Sequence, residues 1–85
     1  MDKQLQRKVK NFIYRIEETT NPKTQWVTDI IIEDKTRGFH MELGRLYIEN
    51  IRLEQEDTLV IMYYNRMFRV KVTEDTVLEV IKQGL

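Results

Sequence analysis

Apolar side chains recur at steps of three and four residues over residues 2–18, which is the period of an α-helix. At 100° per residue they fall within an arc of about 100°, the width of a stripe that faces a protein core. The stripe contains Leu5, Val9, Phe12, Ile13 and Ile16. Asn21-Pro22 ends this segment, because a proline disfavours the α conformation in the residue before it. We therefore predict an amphipathic helix over residues 2–18.

The pattern then changes to the two-residue period of β-strands. Residues 26–33 are rich in β-branched side chains, and residues 39–43 alternate between apolar and polar positions. A polar segment that ends in Gly38 separates these two runs and suits a hairpin loop. The apolar phase shifts by one position after Gly44 and again at Asn50, which predicts β-bulges in the strand segment that continues to residue 54.

Two further strands are expected after that segment. Residues 58–64 are apolar apart from the first, a run that is typical of a central strand covered on both faces. Asn65-Arg66 predicts a turn, and residues 67–72 alternate again between polar and apolar positions.

The last segment has the features of a short helix. Thr73 suits the N-cap position, and Glu74 and Asp75 place negative charge in the first turn, where the helix dipole favours it. Gly84 suits a C-terminal stop. The apolar positions at helical spacing are Val77, Leu78, Ile81 and Leu85.

Together these elements predict an α+β fold in one compact domain over residues 1–85. Its parts are an N-terminal amphipathic helix, a mainly antiparallel sheet of four to five strands, and a short C-terminal helix. The alternative is a small, strongly bent barrel flanked by the two helices, which the expected bulges favour.

Composition narrows the possible chemistry. The 85 residues include no cysteine and no serine, which excludes disulfides, thiolate metal sites and serine or cysteine nucleophiles. Three scattered glycines cannot form a phosphate-binding loop, and the acidic turns lack the spacing of a calcium loop. We expect no metal and no small-molecule cofactor. With no secretory pattern and no apolar run near the roughly 20 residues that span a bilayer, we also expect a cytoplasmic protein without a membrane partner.

His40 is the one side chain whose ordinary pKa lies near neutrality, so acid–base catalysis would begin there. Glu42 lies two residues on, on the same face of the strand, while Arg52 and a tyrosine could approach from neighbouring strands. A metal-independent nuclease or toxin is therefore a third hypothesis. Because no second catalytic group is placed beside His40 by the sequence, we expect that the protein is not an enzyme.

The neutral chain is polarised along its length. Residues 1–28 carry a net charge of +3, residues 29–57 carry −4, residues 58–72 carry +3 and residues 73–85 carry −2. A cationic stripe on the first helix, with Tyr14 beside it, and the strand after Asn65 could together bind nucleic-acid phosphates. This alternative hypothesis uses Lys3, Arg7, Lys10, Arg69 and Lys71.

Tyrosine and methionine are in excess of what a small core holds, and both are enriched in protein–protein interfaces. The candidate protein-binding residues are Tyr14, Tyr47, Tyr63, Tyr64 and Met67. Two short helices could leave one face of the central strand uncovered, and a protein partner or a second copy of the chain would then cover it. The leading hypothesis is a small non-enzymatic binding protein that regulates or inhibits a larger protein, of the kind that phages and mobile elements encode.

Overall fold

The computed structural model describes residues 3–18 and 27–83, which contain one α-helix, one 3-10 turn and six β-strands. Helix α1 comprises Lys3–Glu18, and the 3-10 turn at Arg45–Tyr47 separates the second strand from the third. The strands are β1 (Val27–Asp34), β2 (Phe39–Gly44), β3 (Ile48–Glu54), β4 (Thr58–Tyr63), β5 (Arg66–Lys71) and β6 (Val77–Gln83).

The apolar stripe of α1 packs against the strands, as its period predicts. Val9, Phe12 and Ile16 are buried, while Leu5 and Ile13 are half-buried against the same core. The helix lies over β6 and β3, so its stripe contacts one strand from each of the two sheets. The predicted helix is confirmed within one residue at its start, and Asn21-Pro22 lies outside the described residues.

Two cationic side chains fasten α1 to the strands. The Nε atom of Arg45 donates a hydrogen bond of 3.1 Å to the carbonyl oxygen of Ile16, in the last turn of the helix. Such carbonyls have no partner within a helix, and a cation there also meets the negative end of the helix dipole. Burial lowers the pKa of Arg45, while the nearby carboxylate of Glu17 raises it. On the same helix, Lys8 donates to the carbonyl oxygen of Thr76.

The strands form two antiparallel sheets of three strands each. The first sheet has the order β2-β1-β6, and the second has the order β3-β4-β5. The chain passes from the first sheet to the second through the 3-10 turn, and it returns to the first sheet as β6. In the described part of the chain, no strand pairing joins the two sheets into a closed barrel.

Inward-facing side chains of both sheets and of α1 make one hydrophobic core. Ile30 and Ile32 come from the central strand of the first sheet, and Leu59 and Ile61 from the central strand of the second. All four have no exposed surface. The remaining buried members are Val9, Phe12, Ile16, Leu43, Ile48, Val70, Val72 and Val80. This shared core explains why the chain needs both sheets in order to bury its apolar residues.

Strand β4 is covered on both faces, as its continuous apolar run predicts. Val60 lies on the outer face and is nevertheless fully buried. It pairs across the sheet with Arg52 of β3 and with Arg69 of β5, and both arginines bind Glu54, at 3.3 Å and 2.6 Å. Arginine stems bury apolar surface while their charged ends stay in water. The second face of β4 is therefore covered by its own neighbours.

A buried carboxylate joins the β1–β2 turn to the segment between β5 and β6. Asp34 is 1% exposed, and its oxygens accept hydrogen bonds of 2.8 Å from the Thr36 hydroxyl and 2.8 Å from Arg37 Nε. The hydroxyls of Thr73 and Thr76 approach the same carboxylate at 3.4 Å and 3.3 Å. The hydrogen bonds from Arg37 and Thr36 hold the pKa of Asp34 well below its usual value, against the opposing effect of its burial. The network satisfies a charge that would otherwise be costly to bury.

The predicted C-terminal helix is wrong, because Val77–Gln83 forms β6 and pairs with β1 over its whole length. Three of its residues are β-branched, and strand pairing gives the edge of β1 a hydrogen-bonding partner, so tertiary pairing overrides the helical spacing. Thr73 is not a helix cap. Its hydroxyl accepts from the Asp75 N–H at 3.2 Å, within a turn. Gly84 and Leu85 lie outside the described residues.

Two details of the predicted sheet also change. The single sheet of four to five strands is replaced by six strands in two sheets, because the last segment is a strand. Gly44 has an ordinary extended backbone, with φ −72° and ψ 127°, and the phase shift after it is the 3-10 turn, not a bulge. The second predicted irregularity is confirmed, since the register of β3 with β4 shifts between Ile48 and Asn50.

Candidate protein-binding surface

Three tyrosines meet at one end of the second sheet. Tyr63 ends β4, Tyr64 lies in the β4–β5 turn, and Tyr47 ends the 3-10 turn. The rings of Tyr47 and Tyr64 are stacked, with centroids 4.7 Å apart and an interplanar angle of 20°. Tyr63 stands edge-on to both, 6.2 Å from Tyr47 and 4.9 Å from Tyr64. These geometries are favourable for aromatic pairs, and we call the three residues the tyrosine cluster.

Gly44 makes room for this cluster. A Cβ atom at this position would lie 3.1 Å from the Cδ2 atom of Tyr47, which is too close without movement of the ring. The backbone N–H of Gly44 also donates to the Tyr63 hydroxyl at 3.3 Å. The glycine therefore lets one tyrosine ring pack against the backbone and orients a second through a hydrogen bond.

The turn that carries Tyr64 has an uncommon backbone. Tyr63 pairs with Arg66, and the two residues between them, Tyr64 and Asn65, have φ values of 51° and 63°. Two positive φ values in a two-residue loop match the twist of a β-hairpin, so the turn lies one residue before the predicted Asn65-Arg66. Asparagine tolerates this conformation, whereas a tyrosine pays about 1–2 kcal/mol for it. The Asn65 N–H donates to the Glu49 carboxylate at 3.3 Å, which supports the turn.

The stacked pair is exposed to solvent. Tyr47 is 48% exposed and Tyr64 is 57% exposed, while Leu46, next to Tyr47 in the 3-10 turn, is 81% exposed. We call Leu46, Tyr47 and Tyr64 the aromatic patch. No sequence signal distinguishes Leu46, because its exposure depends on the 3-10 turn.

The surroundings of the Tyr64 hydroxyl change its acidity. Partial burial, and then a hydrogen bond with the Tyr47 hydroxyl, raise the pKa of Tyr64 above its ordinary value. The neutral form of the Tyr64 hydroxyl is therefore stabilised.

The structure brings together three of the five candidate protein-binding residues. Met67, in β5, is 49% exposed and pairs across the sheet with Met62. Tyr14 is 62% exposed on the solvent side of α1, and no ring in the described residues stacks on it. Tyr14 therefore belongs to a separate surface.

The candidate nucleic-acid residues fall into two groups. Lys3, Arg7 and Lys10 are exposed on α1 and form no ion pair within the described part of the chain. Arg69 and Lys71 lie on the outer face of β5, where Arg69 binds Glu54 and Lys71 lies 4.0 Å from an oxygen of Asp57. No hydrogen bond or ion pair between described residues joins the two groups.

His40 lies on the outer face of the first sheet among acidic residues. Its Nδ1 atom is 3.9 Å from a carboxylate oxygen of Glu33. The register places Glu42 and Glu79 beside Ile31 on the same face. The groups proposed to act with His40, Arg52 and the tyrosines, belong to the second sheet and the 3-10 turn. The acidic surroundings do not favour binding of a phosphodiester.

Residues 3–18 and 27–83 contain no cluster of three or more acidic or histidine side chains that could hold a metal ion. Their one α-helix is too short and too polar to cross a membrane. The chain matches no known protein-family model, no curated protein sequence and no solved structure.

Proposed function

We propose that this protein is a small non-enzymatic binding protein that regulates or inhibits a larger protein through the aromatic patch. The observation that carries the proposal is the stacked, solvent-exposed pair Tyr47–Tyr64, held on a turn with an unfavourable tyrosine backbone conformation. Strain of this kind persists where surrounding contacts enforce it, and it is common at functional sites.

The chemistry of the patch suits a protein partner. Tyrosine supplies a large apolar surface with a polar end, and it is enriched at the centres of protein interfaces. Stacking fixes both rings before binding, so less side-chain entropy is lost on association. Leu46 extends the apolar surface of the pair, which matches the fully desolvated core of an interface better than its polar rim.

The proposal is tested by capturing partners from an extract of the source cells with the purified, tagged chain. We expect Tyr64→Ala and Leu46→Ala to abolish capture of a specific protein. Tyr14→Ala serves as the matched control, because Tyr14 is equally exposed but lies on α1. Circular dichroism establishes that each variant is folded. Capture that survives both patch variants contradicts the assignment of this surface.

A second function, nucleic-acid binding, is favoured by cations of α1 that form no ion pair with another described residue. Lys3, Arg7 and Lys10 project on the same side of the helix as the exposed Tyr14, so phosphates and one base could be bound together. Arg69 and Lys71 lie on β5, and no hydrogen bond or ion pair between described residues joins them to this group on α1.

This second function is tested by fluorescence anisotropy with labelled single-stranded RNA and DNA at several salt concentrations. Arg7→Glu combined with Lys10→Glu should weaken binding and flatten its salt dependence, because fewer counterions are released. The same charge change at Lys35 and Arg66, both exposed and outside the helix, is the control. Equal affinity of the helix variant and wild type removes α1 from this role.

A further inference from the structure

Within residues 3–18 and 27–83, no strand pairs with the outer edge of β5. Strand β5 is the last strand of its sheet, paired with β4 on one side only. The Val72 N–H donates to the Asp57 carbonyl at 2.7 Å, toward the β3–β4 loop, whereas the Lys71 carbonyl accepts from Arg37 on the other side. Backbone groups alternate in direction along an antiparallel strand, so Met67, Arg69 and Lys71 all direct their N–H and C=O groups away from β4.

Hydrogen bonds within the described part of the chain use only some of the backbone groups at this edge. Arg37 donates a hydrogen bond to the carbonyl oxygen of Lys71. The backbone N–H and C=O groups of Met67 and Arg69 have no hydrogen-bonding partner among the described residues. A row of such groups is the template to which an extended chain adds as a new strand.

A cavity of about 300 Å³ lies beside the same edge. Phe39 and Val70 give it apolar walls, and Arg37, Arg69 and Lys71 place three cations around it. Val70 is buried and Phe39 half-buried, so an apolar side chain placed here would join the margin of the core. The sequence did not reveal this arrangement, because Arg37 and Phe39 lie some thirty positions before β5.

The charges around the edge select its partner. Arg69 and Lys71 have exposed side chains. Their ion pairs with Glu54 and Asp57 are exposed to solvent, and such ion pairs contribute little to stability. The carboxylates of an incoming segment can therefore replace them. The same cations repel another cationic strand, including the β5 edge of a second copy.

We propose that the β5 edge binds an extended acidic segment of the partner protein by strand addition. Backbone groups of the segment pair with Met67 and Arg69, its carboxylates meet Arg69 and Lys71, and one apolar side chain fills the cavity between Phe39 and Val70. The proposal rests on the proposed function and extends it, since the turn that carries Tyr64 leads directly into β5. One partner can then contact both the aromatic patch and the edge.

The test uses a fluorescein-labelled heptapeptide of alternating valine and glutamate as the probe, with fluorescence anisotropy as the measurement. Met67→Pro removes one outward N–H and leaves the pairing with β4 intact, because that N–H does not face β4. Met67→Ala is the matched control, which keeps the N–H and loses the same side chain. We expect the proline variant to bind about tenfold more weakly than the alanine variant, the effect of one lost hydrogen bond.

Charge and strand geometry are tested separately with the same probe. Arg69→Glu should weaken binding, while Lys10→Glu, the same change on α1, should not. A valine–lysine peptide and a valine–glutamate peptide with a central proline should both fail to bind. Arg69→Glu keeps the backbone of the edge and an aliphatic stem beside Val60, so it keeps the test decisive if the proline variant does not fold, and circular dichroism establishes that it is folded.

Equal binding by the proline and alanine variants, or binding of the lysine peptide, overturns strand addition. A dimer of the chain that is lost in Met67→Pro would assign the edge to a second copy and also overturn the proposal. If the acidic peptide does not bind while Tyr64→Ala still abolishes partner capture, strand addition fails and the proposed function stands. If no partner is captured by the wild type, the proposed function itself fails.

Discussion

Asp34 is the point at which a single side chain joins distant parts of the chain. Its carboxylate accepts hydrogen bonds from Thr36, Arg37, Thr73 and Thr76, so it connects the β1–β2 turn with a segment nearly forty residues away. A buried carboxylate is stable in this setting only while it is charged and its donors are in place. Its lowered pKa follows from these contacts.

The first prediction concerns acid stability. The folded-state pKa of Asp34 lies below its usual value of 3.8, so its contribution to the free energy of unfolding is complete above about pH 4 and is lost as the pH falls further. Wild type should lose stability over this acidic range, and Asp34→Asn should lose less there while being less stable at pH 7. Urea denaturation at pH 7 and at pH 3 measures both effects. Parallel pH profiles of the two proteins would contradict this role.

The second prediction separates the backbone of the β4–β5 turn from the ring of Tyr64. Asparagine accepts positive φ better than tyrosine, so Tyr64→Asn relieves the turn but loses the stacking on Tyr47. We expect the free energy of unfolding to change by less than about 1 kcal/mol, since each of the two effects is of that order. Partner capture should nevertheless be lost. A thermal melt together with the capture experiment distinguishes a binding role of the ring from a structural one.

At the level of elements, apolar packing and hydrogen bonds from cationic side chains hold α1 against the strands. The apolar stripe of the helix packs into the core, and Arg45 donates a hydrogen bond to the carbonyl of Ile16. The same guanidinium donates to the carbonyl of Ile48, the first residue of β3. Arg45 therefore fixes the helix end relative to the second sheet.

The third prediction is that Arg45→Ala lowers the free energy of unfolding by about 1–3 kcal/mol, the range for hydrogen bonds that involve a charged group. Loss of this hydrogen bond should also increase hydrogen exchange more in the last turn of α1 than in β4. Arg66→Ala, at an exposed position of β5, is the control and should change stability by less than about 0.5 kcal/mol. Equal effects of the two substitutions on the free energy of unfolding would show that the hydrogen bond from Arg45 to Ile16 does not stabilise the fold.

At the level of the whole molecule, the neutral chain separates its charges onto two sheet faces. The outer face of the first sheet carries Asp29, Glu33, Glu42 and Glu79. The outer face of the second sheet carries Arg52, Arg69 and Lys71, with Glu54 between the two arginines. From this separation we expect the cationic side to attract acidic segments and the acidic side to repel them.

The fourth prediction concerns cooperativity. Because one core joins α1 to both sheets, helix and sheet should unfold together in a single transition. Ile61→Ala, at a fully buried position of β4, should lower the free energy of unfolding by about 2–5 kcal/mol and shift the whole transition. Far-ultraviolet circular dichroism and tyrosine fluorescence should give the same midpoint. Separate midpoints would mean that the two sheets are independent units.

Most elements could be predicted from local patterns. Short-range periodicity predicts the helix over Leu5–Ile16 and the alternating strands β2 and β5. A continuous apolar run predicts β4. The last segment could not be predicted in this way, because the spacing of Val77, Leu78 and Ile81 fits both a helix and a strand. Pairing with β1 decides between them, and β1 lies fifty positions earlier in the chain.

The sequence named most residues of the candidate surface but not their arrangement. Of the five tyrosine and methionine residues named as candidates, three lie together, and a fourth, Met67, lies in the strand that follows their turn. The exposure of Leu46 and the positions of Arg37 and Phe39 beside β5 had no local signal. They depend on a 3-10 turn and on contacts between elements distant in sequence.

By itself, the sequence determined an α+β fold with an amphipathic first helix, antiparallel strands and a chemistry without thiols or serine hydroxyls. These properties follow from side-chain period and composition, which act over a few residues. Tertiary structure alone decided that the last segment is a strand, that the strands divide into two sheets, and that Arg37 and Phe39 lie beside β5. Those outcomes depend on the free energies of contacts between residues far apart in the chain. Local sequence patterns do not report these free energies.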